Sequence, residues 1–276
     1  MSISITRANA RLRGSARALA IIGEFGVVLA LAILGSSVLL RLATRLDGTD
    51  AAVSTLPNFL EHAVRSIHRF SAASVGLLAI AASLLSWMHR NSIAQARWPT
   101  AGVVLATLIL AAIGPLTPGY RYAAVTLANV LCGSALLMSC WWLRETLLYP
   151  DGRDPAPTRG LVLAVLALWI HMGSGALGSA FQMRGLHWVT YLHVATAPLF
   201  VLAYGDVLWT HVGHGRTVDR LARPLTLLLV GQVCAGLALL WIDQQPIWLG
   251  VTHALASQLL AIGLISFAIR KQTQGT

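Results

Sequence analysis

The chain has 276 residues, of which 56% are hydrophobic and only 11% are charged, with a formal net charge of +10. Its mean hydropathy of +0.69 and its separated apolar runs of around 20 residues exclude a water-soluble globular domain, because a helix of that length crosses the hydrocarbon core of a bilayer. We therefore predict an all-α integral membrane protein.

Eight apolar runs are predicted to span the membrane, each bounded by charged residues, glycine or proline. They do not alternate apolar and polar residues, so helices rather than barrel strands are predicted. Most Arg and Lys residues fall on the cytoplasmic side when both termini are cytoplasmic, which predicts a multi-pass protein of a bacterial-type inner membrane. This topology accounts for the positive charge, and no nucleic-acid partner is predicted. The predicted spans cover residues 18–40, 66–88, 98–114, 122–143, 160–181, 187–208, 224–242 and 247–268.

The stretch "YPDGRDPAPTRG" is the longest Pro- and Gly-rich break, and it divides the chain into halves 1–150 and 151–276. His193 lies sixty residues before His253. About sixty residues after His68 the first half reads "AVTLANVLCGSALL", with Asn129 where the second half has the histidine of "WLGVTHALASQLL". The spacing predicts two tandem four-helix bundles related by a pseudo-two-fold, parallel repeat.

Two histidines lie at the same predicted depth in the second half. His193 and His253 each stand about six residues inside the outer end of a span, so both lie about 9 Å below the membrane surface. A level pair of imidazoles without a carboxylate or thiolate at that depth predicts an iron held from both faces of a haem. The alternative is a pair of interhelical hydrogen bonds. His171, in the fifth span, is a candidate for a group that supports the ligands without binding the metal.

Three stretches carry a family resemblance: "ILGSSVLLRLA", "SIHRFSAASVGLLAI" and "GQVCAGLALLWIDQQPIWLGVTHALASQLL". In these motifs, their order and the eight spans, the chain resembles the haem A synthase family over essentially its whole length. The resemblance implies haem b bound by His193 and His253, and haem O bound as substrate at His68. It further implies an oxidoreductase of haem biosynthesis that oxidises a methyl group of haem O to the formyl group of haem A, for cytochrome oxidase assembly.

The departures from the family pattern fall in the first half. Arg65 stands where the family has a glutamate, and Asn129 stands at or beside the position of its second histidine. Glu61, seven residues before His68, is predicted to compensate in part as a catalytic group, since it lies about two turns along the same helix face. Arg65 and Arg69 either pair with haem propionates or anchor the helix at the interface.

Three functions stay open. The first is a divergent haem A synthase, the second a non-catalytic haem b electron-transfer subunit of a membrane redox complex, and the third a haem-handling assembly protein. The candidate partners are membrane lipid, haem O synthase or cytochrome oxidase subunits, and a second copy of the chain. A modified haem in the first half would favour the enzyme, whereas haem b alone in the second half would favour the subunit.

Overall fold

Eight helices dominate the fold. The computed structural model describes residues 2–46, 52–117, 122–149, 159–182, 188–211, 216–242 and 246–272. Within these ranges all eight helices are long and apolar enough to cross a membrane, which confirms that part of the prediction. They are α1 (Ser2–Ala43), α2 (Asn58–Met88), α3 (Arg97–Ile113), α4 (Ala123–Leu148), α5 (Arg159–Gln182), α6 (Trp188–His211), α7 (Arg216–Trp241) and α8 (Ile247–Gln272).

A short antiparallel hairpin connects α1 to α2, in the longer loop that distinguishes the first half from the second. Strand β1 (Thr44–Leu46) pairs with β2 (Ala52–Ser54), with Thr44 opposite Ser54. The hydroxyl of Thr55 donates to the carbonyl of Ala43 at 2.9 Å. The hairpin therefore begins directly at the last turn of α1.

Several helices extend beyond their predicted spans. Helix α1 begins at Ser2 rather than at residue 18, and α7 begins at Arg216 rather than at residue 224. Helix α2 begins at Asn58, directly after Pro57, rather than at residue 66, and α4 continues to Leu148 rather than ending at residue 143. Hydropathy detects only the apolar part of a helix, whereas the backbone hydrogen bonds continue through its polar turns. In α2 the polar turn also gains an ion pair four residues apart, between Glu61 and Arg65.

Each large cluster of buried apolar side chains lies within one half of the chain. One cluster is formed by the four helices α5, α6, α7 and α8 and includes Leu168, Phe200 and Leu260. Another is formed by the four helices α1, α2, α3 and α4 and includes Leu136 and Leu137. Helices α1 and α4 also contact α8, and α4 contacts α5. The division into tandem halves 1–150 and 151–276 stays a prediction, since packing continues between the two sets of helices.

A buried polar joint connects α4 to α8. Glu145 is fully buried, and its carboxylate accepts hydrogen bonds from Nε and Nη2 of Arg270 at 2.8 and 3.1 Å. Arg144 donates to the same carboxylate at 2.5 Å. The indole of Trp141 donates to the hydroxyl of Ser266 at 2.7 Å, which adds a second link between the two helices.

Candidate functional site

Three helices bring a cluster of histidines together. His171 on α5, His193 on α6 and His253 on α8 place their ring nitrogens within 4.8 Å of one another, close enough to hold a metal ion. The sequence predicts His193 and His253 as the metal-binding pair. The third imidazole, His171, belongs to the same cluster.

The three rings differ in their mutual orientation. The centroids of His193 and His253 lie 6.1 Å apart, and their planes are nearly perpendicular at 89°. His171 instead stacks on His193, with centroids 4.1 Å apart and planes inclined by 19°. Phe200 stacks on the opposite face of His171 at 5.2 Å. His193 and His253 thus face each other across a gap, while His171 lies beside His193.

Hydrogen bonds determine which ring nitrogen of His193 is available to bind a metal. Its Nδ1 lies 3.0 Å from the carbonyl oxygen of His171 and 3.2 Å from the hydroxyl of Ser174. A carbonyl oxygen only accepts, so Nδ1 carries the proton and Nε2 keeps its lone pair. This is the pattern typical of metal-binding histidines, whose second nitrogen donates to a protein oxygen.

A glutamine supports His253 from α7. The amide nitrogen of Gln232 donates to the hydroxyl of Ser257 at 2.7 Å and lies 3.3 Å from Nε2 of His253. Gln232 is only 2% exposed. Its Oε1 and Nδ1 of His253 are both buried without a hydrogen-bond partner among the described residues. These polar atoms therefore stand at the wall of a cavity that can accept a further group.

The histidines line a cavity of about 500 Å³ with mainly apolar walls. It extends beyond the second half, because Leu34 and Arg41 of α1 and Val130 of α4 also line it. Arg41 is 7% exposed, so a guanidinium lies at the edge of an otherwise apolar chamber. The size and polarity suit one large, flat, mostly apolar molecule with a few polar groups.

The residues predicted for the first-half site do not gather into one cluster. Nδ1 of His68 lies 3.0 Å from the hydroxyl of Ser36, and the Asn129 side chain donates to Thr117 at 2.8 Å. The carboxylate of Glu61 pairs with Arg65 at 2.6 Å. In the first half the candidate residues thus have separate partners.

Arg69 is exposed on α2, and none of the five residues predicted for the first-half site is among the described residues that line the cavity. Those five are Glu61, Arg65, His68, Arg69 and Asn129. Their assignment to a substrate site stays a prediction.

The small residues of "GSGALGS" on α5 form an internal helix contact. A Cβ on Gly175 would lie 2.9 Å from Cε1 of His193, and a Cβ on Gly178 would lie 3.6 Å from Cα of Thr190, both on α6. Small side chains let the two backbones approach closely. This stretch therefore packs within the chain.

No protein-family model matches the chain, and no curated protein matches it. The chemistry assigned to the cluster therefore depends on the geometry of its own residues.

Proposed function

We propose that this chain is a multi-pass membrane haemoprotein of the haem A synthase type. In this proposal His193 and His253 bind haem b in the second half, and both termini lie on the cytoplasmic side of a bacterial-type inner membrane. The observation that carries the proposal is the pair of facing imidazoles in a large apolar cavity between membrane-length helices.

The ring spacing fits an axial pair better than a tetrahedral metal site. Two imidazoles on opposite sides of one metal, each with a bond of about 2 Å, have centroids roughly 6 Å apart, whereas ligands at a tetrahedral angle have centroids about 5 Å apart. The centroids of His193 and His253 are 6.1 Å apart, and those of His171 and His193 are only 4.1 Å apart. The arrangement favours His193 and His253 as the ligands, with His171 beside them.

The surroundings of the pair also suit a flat macrocycle. Gly175 and Gly236 stand against the two rings, where a Cβ would lie 2.9 Å from Cε1 of His193 or 3.1 Å from Cε1 of His253. The walls are mainly apolar, and the buried Arg41 is among the residues that line the cavity. These features fit an amphipathic, dianionic haem.

The bound haem would supply one-electron chemistry through its iron. The residues of this chain would hold and tune it: His193, with Nδ1 bound to the carbonyl of His171, offers Nε2. Gln232 orients His253, and the apolar cavity walls limit access of water. Restricted water and fixed imidazoles favour electron transfer, since little reorganisation accompanies a change of iron charge.

A matching hydrogen bond in both halves supports the tandem repeat and a haem-binding role for His68. Ser174 donates to the carbonyl of His171 and contacts Nδ1 of His193. In the first half Ser36 donates to the carbonyl of Ile33 and contacts Nδ1 of His68. We propose that His68 binds haem O as substrate. Two successive hydroxylations, with oxygen or peroxide as the external oxidant and source of the oxygen atom, would convert the methyl group of haem O to a hydrated aldehyde, which loses water to give the formyl group of haem A.

A second candidate is a haem b electron-transfer subunit without catalysis, and the hydrogen bond of Asn129 favours it. Asn129 donates to Thr117 and has no imidazole to offer an iron. Glu61 is held by Arg65, which leaves its carboxylate less available as a base. A first half of this kind could have lost its substrate site while the second half kept its haem.

Extraction of the haem distinguishes the two candidates. The protein is purified from a host that makes haem O, its haems are identified by mass spectrometry, and a reduced-minus-oxidised spectrum is recorded. We expect haem b together with haem A or a hydroxylated haem O. Haem b alone, at one per chain, would favour the electron-transfer subunit, and a preparation without haem would contradict both.

A glycine substitution tests the position of His193. We expect Gly175→Ala to weaken haem binding roughly 10- to 100-fold, as is typical when a group that orients a metal ligand is altered, because the new methyl group would lie 2.9 Å from Cε1 of His193. The measurement is a haem titration of apoprotein in detergent. Gly178→Ala is the matched control, since the same change one turn away meets Thr190 at an ordinary 3.6 Å. Equal affinities for the two variants would contradict the placement of His193.

A further inference from the structure

His171 is the histidine of the cluster that the haem-binding proposal does not use. It is 4% exposed, and its ring lies between those of His193 and Phe200 in a continuous stack. A buried imidazole in a membrane-length helix is costly unless its polar atoms are satisfied. Because it packs against one of the two proposed iron ligands, its function in the cluster needs an explanation.

The hydrogen bonds around His171 hold its ring rigidly. The hydroxyl of Thr196 lies 2.9 Å from the carbonyl oxygen of His193, 3.0 Å from the hydroxyl of Ser174 and 3.1 Å from Nδ1 of His171. Ser174 donates to the carbonyl of His171 at 2.8 Å. The same carbonyl accepts from Nδ1 of His193 at 3.0 Å. The backbone and the ring of His171 thus both contact His193.

The first half of the chain provides an internal comparison. Ser36 and His68 form the same contact as Ser174 and His193. The hydroxyl of Ser36 contacts the carbonyls of Ala32 at 2.6 Å and Ile33 at 3.0 Å, and Ile33 stands three residues before Ser36, as His171 stands three residues before Ser174. Ile33 therefore occupies in the first half the position of His171 in the second. The carbonyl is common to both halves, whereas among the described residues a flat ring stacks on the histidine in the second half and not in the first.

We propose that His171 is a positioning residue that fixes the ring plane of His193 at a right angle to that of His253. The proposal rests on the proposed function, in which these two histidines bind one haem iron. The hydrogen bonds at Nδ1 fix the tautomer of His193 and limit the rotation of its ring. The stacked ring blocks that rotation on one face, because a turned His193 would collide with His171 at 4.1 Å.

The angle between the rings has a direct electronic consequence. Perpendicular axial imidazoles interact with both iron dπ orbitals alike and keep them nearly degenerate, whereas parallel imidazoles separate their energies. A ferric, low-spin haem with perpendicular ligands therefore gives a highly anisotropic electron paramagnetic resonance signal, and parallel ligands give a rhombic signal. The 89° between His193 and His253 predicts the first type.

The test is electron paramagnetic resonance of the purified ferric holoprotein at a measured haem content per chain. The wild type is expected to give one highly anisotropic low-spin signal. His171→Ile, which introduces the residue of the first half, is expected to lose that signal in favour of a rhombic component while haem content stays the same. His171→Phe keeps a flat ring between His193 and Phe200 and is expected to keep the wild-type signal.

Several outcomes would overturn the proposal. These are a rhombic signal from the wild type, an unchanged signal from His171→Ile, or an equal shift from His171→Phe. Thr196→Val provides a second variant if His171→Ile fails to fold. It removes the Nδ1 contact of His171 together with the contacts of the hydroxyl to the carbonyl of His193 and to Ser174, keeps the His171 ring, and is expected to add a rhombic component. Wild-type protein without any low-spin haem would instead overturn the proposed function, so the two failures are distinguishable.

Discussion

Replacement of His253 by alanine is expected to abolish the low-spin, six-coordinate haem spectrum of the protein. The substitution removes the imidazole whose centroid lies 6.1 Å from that of His193. The neighbouring Gln232 offers only an amide, which is not an iron ligand in ordinary circumstances. His171 is stacked on His193 with ring centroids only 4.1 Å apart, which is too close for two ligands on opposite sides of one metal. The measurement is a reduced-minus-oxidised absorption spectrum of the purified variant.

His68→Ala is the matched control for His253→Ala. It removes an imidazole of the other half, whose Nδ1 contacts Ser36, and it should leave the haem b spectrum of the second half intact. Added imidazole should restore a low-spin spectrum to His253→Ala, because the lost side chain leaves a space of the same shape next to the cavity. An unchanged spectrum in His253→Ala without added imidazole would disprove the assignment of His253 as a ligand.

The helices were predictable because hydropathy depends only on composition along the chain. All eight predicted apolar runs lie in helices of membrane length. The ends were less predictable, since α2 and α4 continue through turns that contain Glu61 and Glu145. An ion pair along α2 and a contact with α8 stabilise those turns. Hydropathy alone cannot detect either interaction.

The facing pair was predictable from helix register, whereas the third histidine was not. His193 and His253 stand five and six residues after the first residues of α6 and α8, so equal spacing brought them to one level. His171 contacts Thr196, which lies one turn along α6 from His193. The predicted depth of His171 in the membrane did not indicate that it would contact His193. The glycines that follow His171 in "HMGSG" indicated that α5 packs closely against another helix. They could not indicate where the His171 ring points, because that depends on its side-chain torsions.

Gln232 was also missed, although a polar side chain between glycine and valine in an apolar helix marks a buried role. The cavity could not be predicted at all, because its wall combines α1 and α4 with the four helices of the second half. The departures at Arg65 and Asn129 were visible in the sequence. Their hydrogen bonds to Glu61 and Thr117 depend on the fold.

Substitution of Glu145 by glutamine is expected to destabilise the protein by about 3–5 kcal/mol, the usual cost of removing one partner from a buried ion pair. Glu145 is fully buried, and Arg270 contacts it through two nitrogens while Arg144 contacts it through a third. The amide would remove the anion that Arg144 and Arg270 share at the α4–α8 joint, and the remaining carboxylate near Arg144, that of Glu24, lies 4.0 Å away. The measurement is the free energy of unfolding in mixed detergent micelles.

Glu61→Gln is the control for this effect, because it also removes the carboxylate of an ion pair with arginine. The Arg65 side chain of that pair is 44% exposed, so water and salt replace most of the interaction and the expected loss is at most about 1 kcal/mol. Both variants remove one negative charge, so the difference between their losses of unfolding free energy measures the effect of burial. If Glu145→Gln loses no more stability than Glu61→Gln, the joint between α4 and α8 does not depend on this carboxylate.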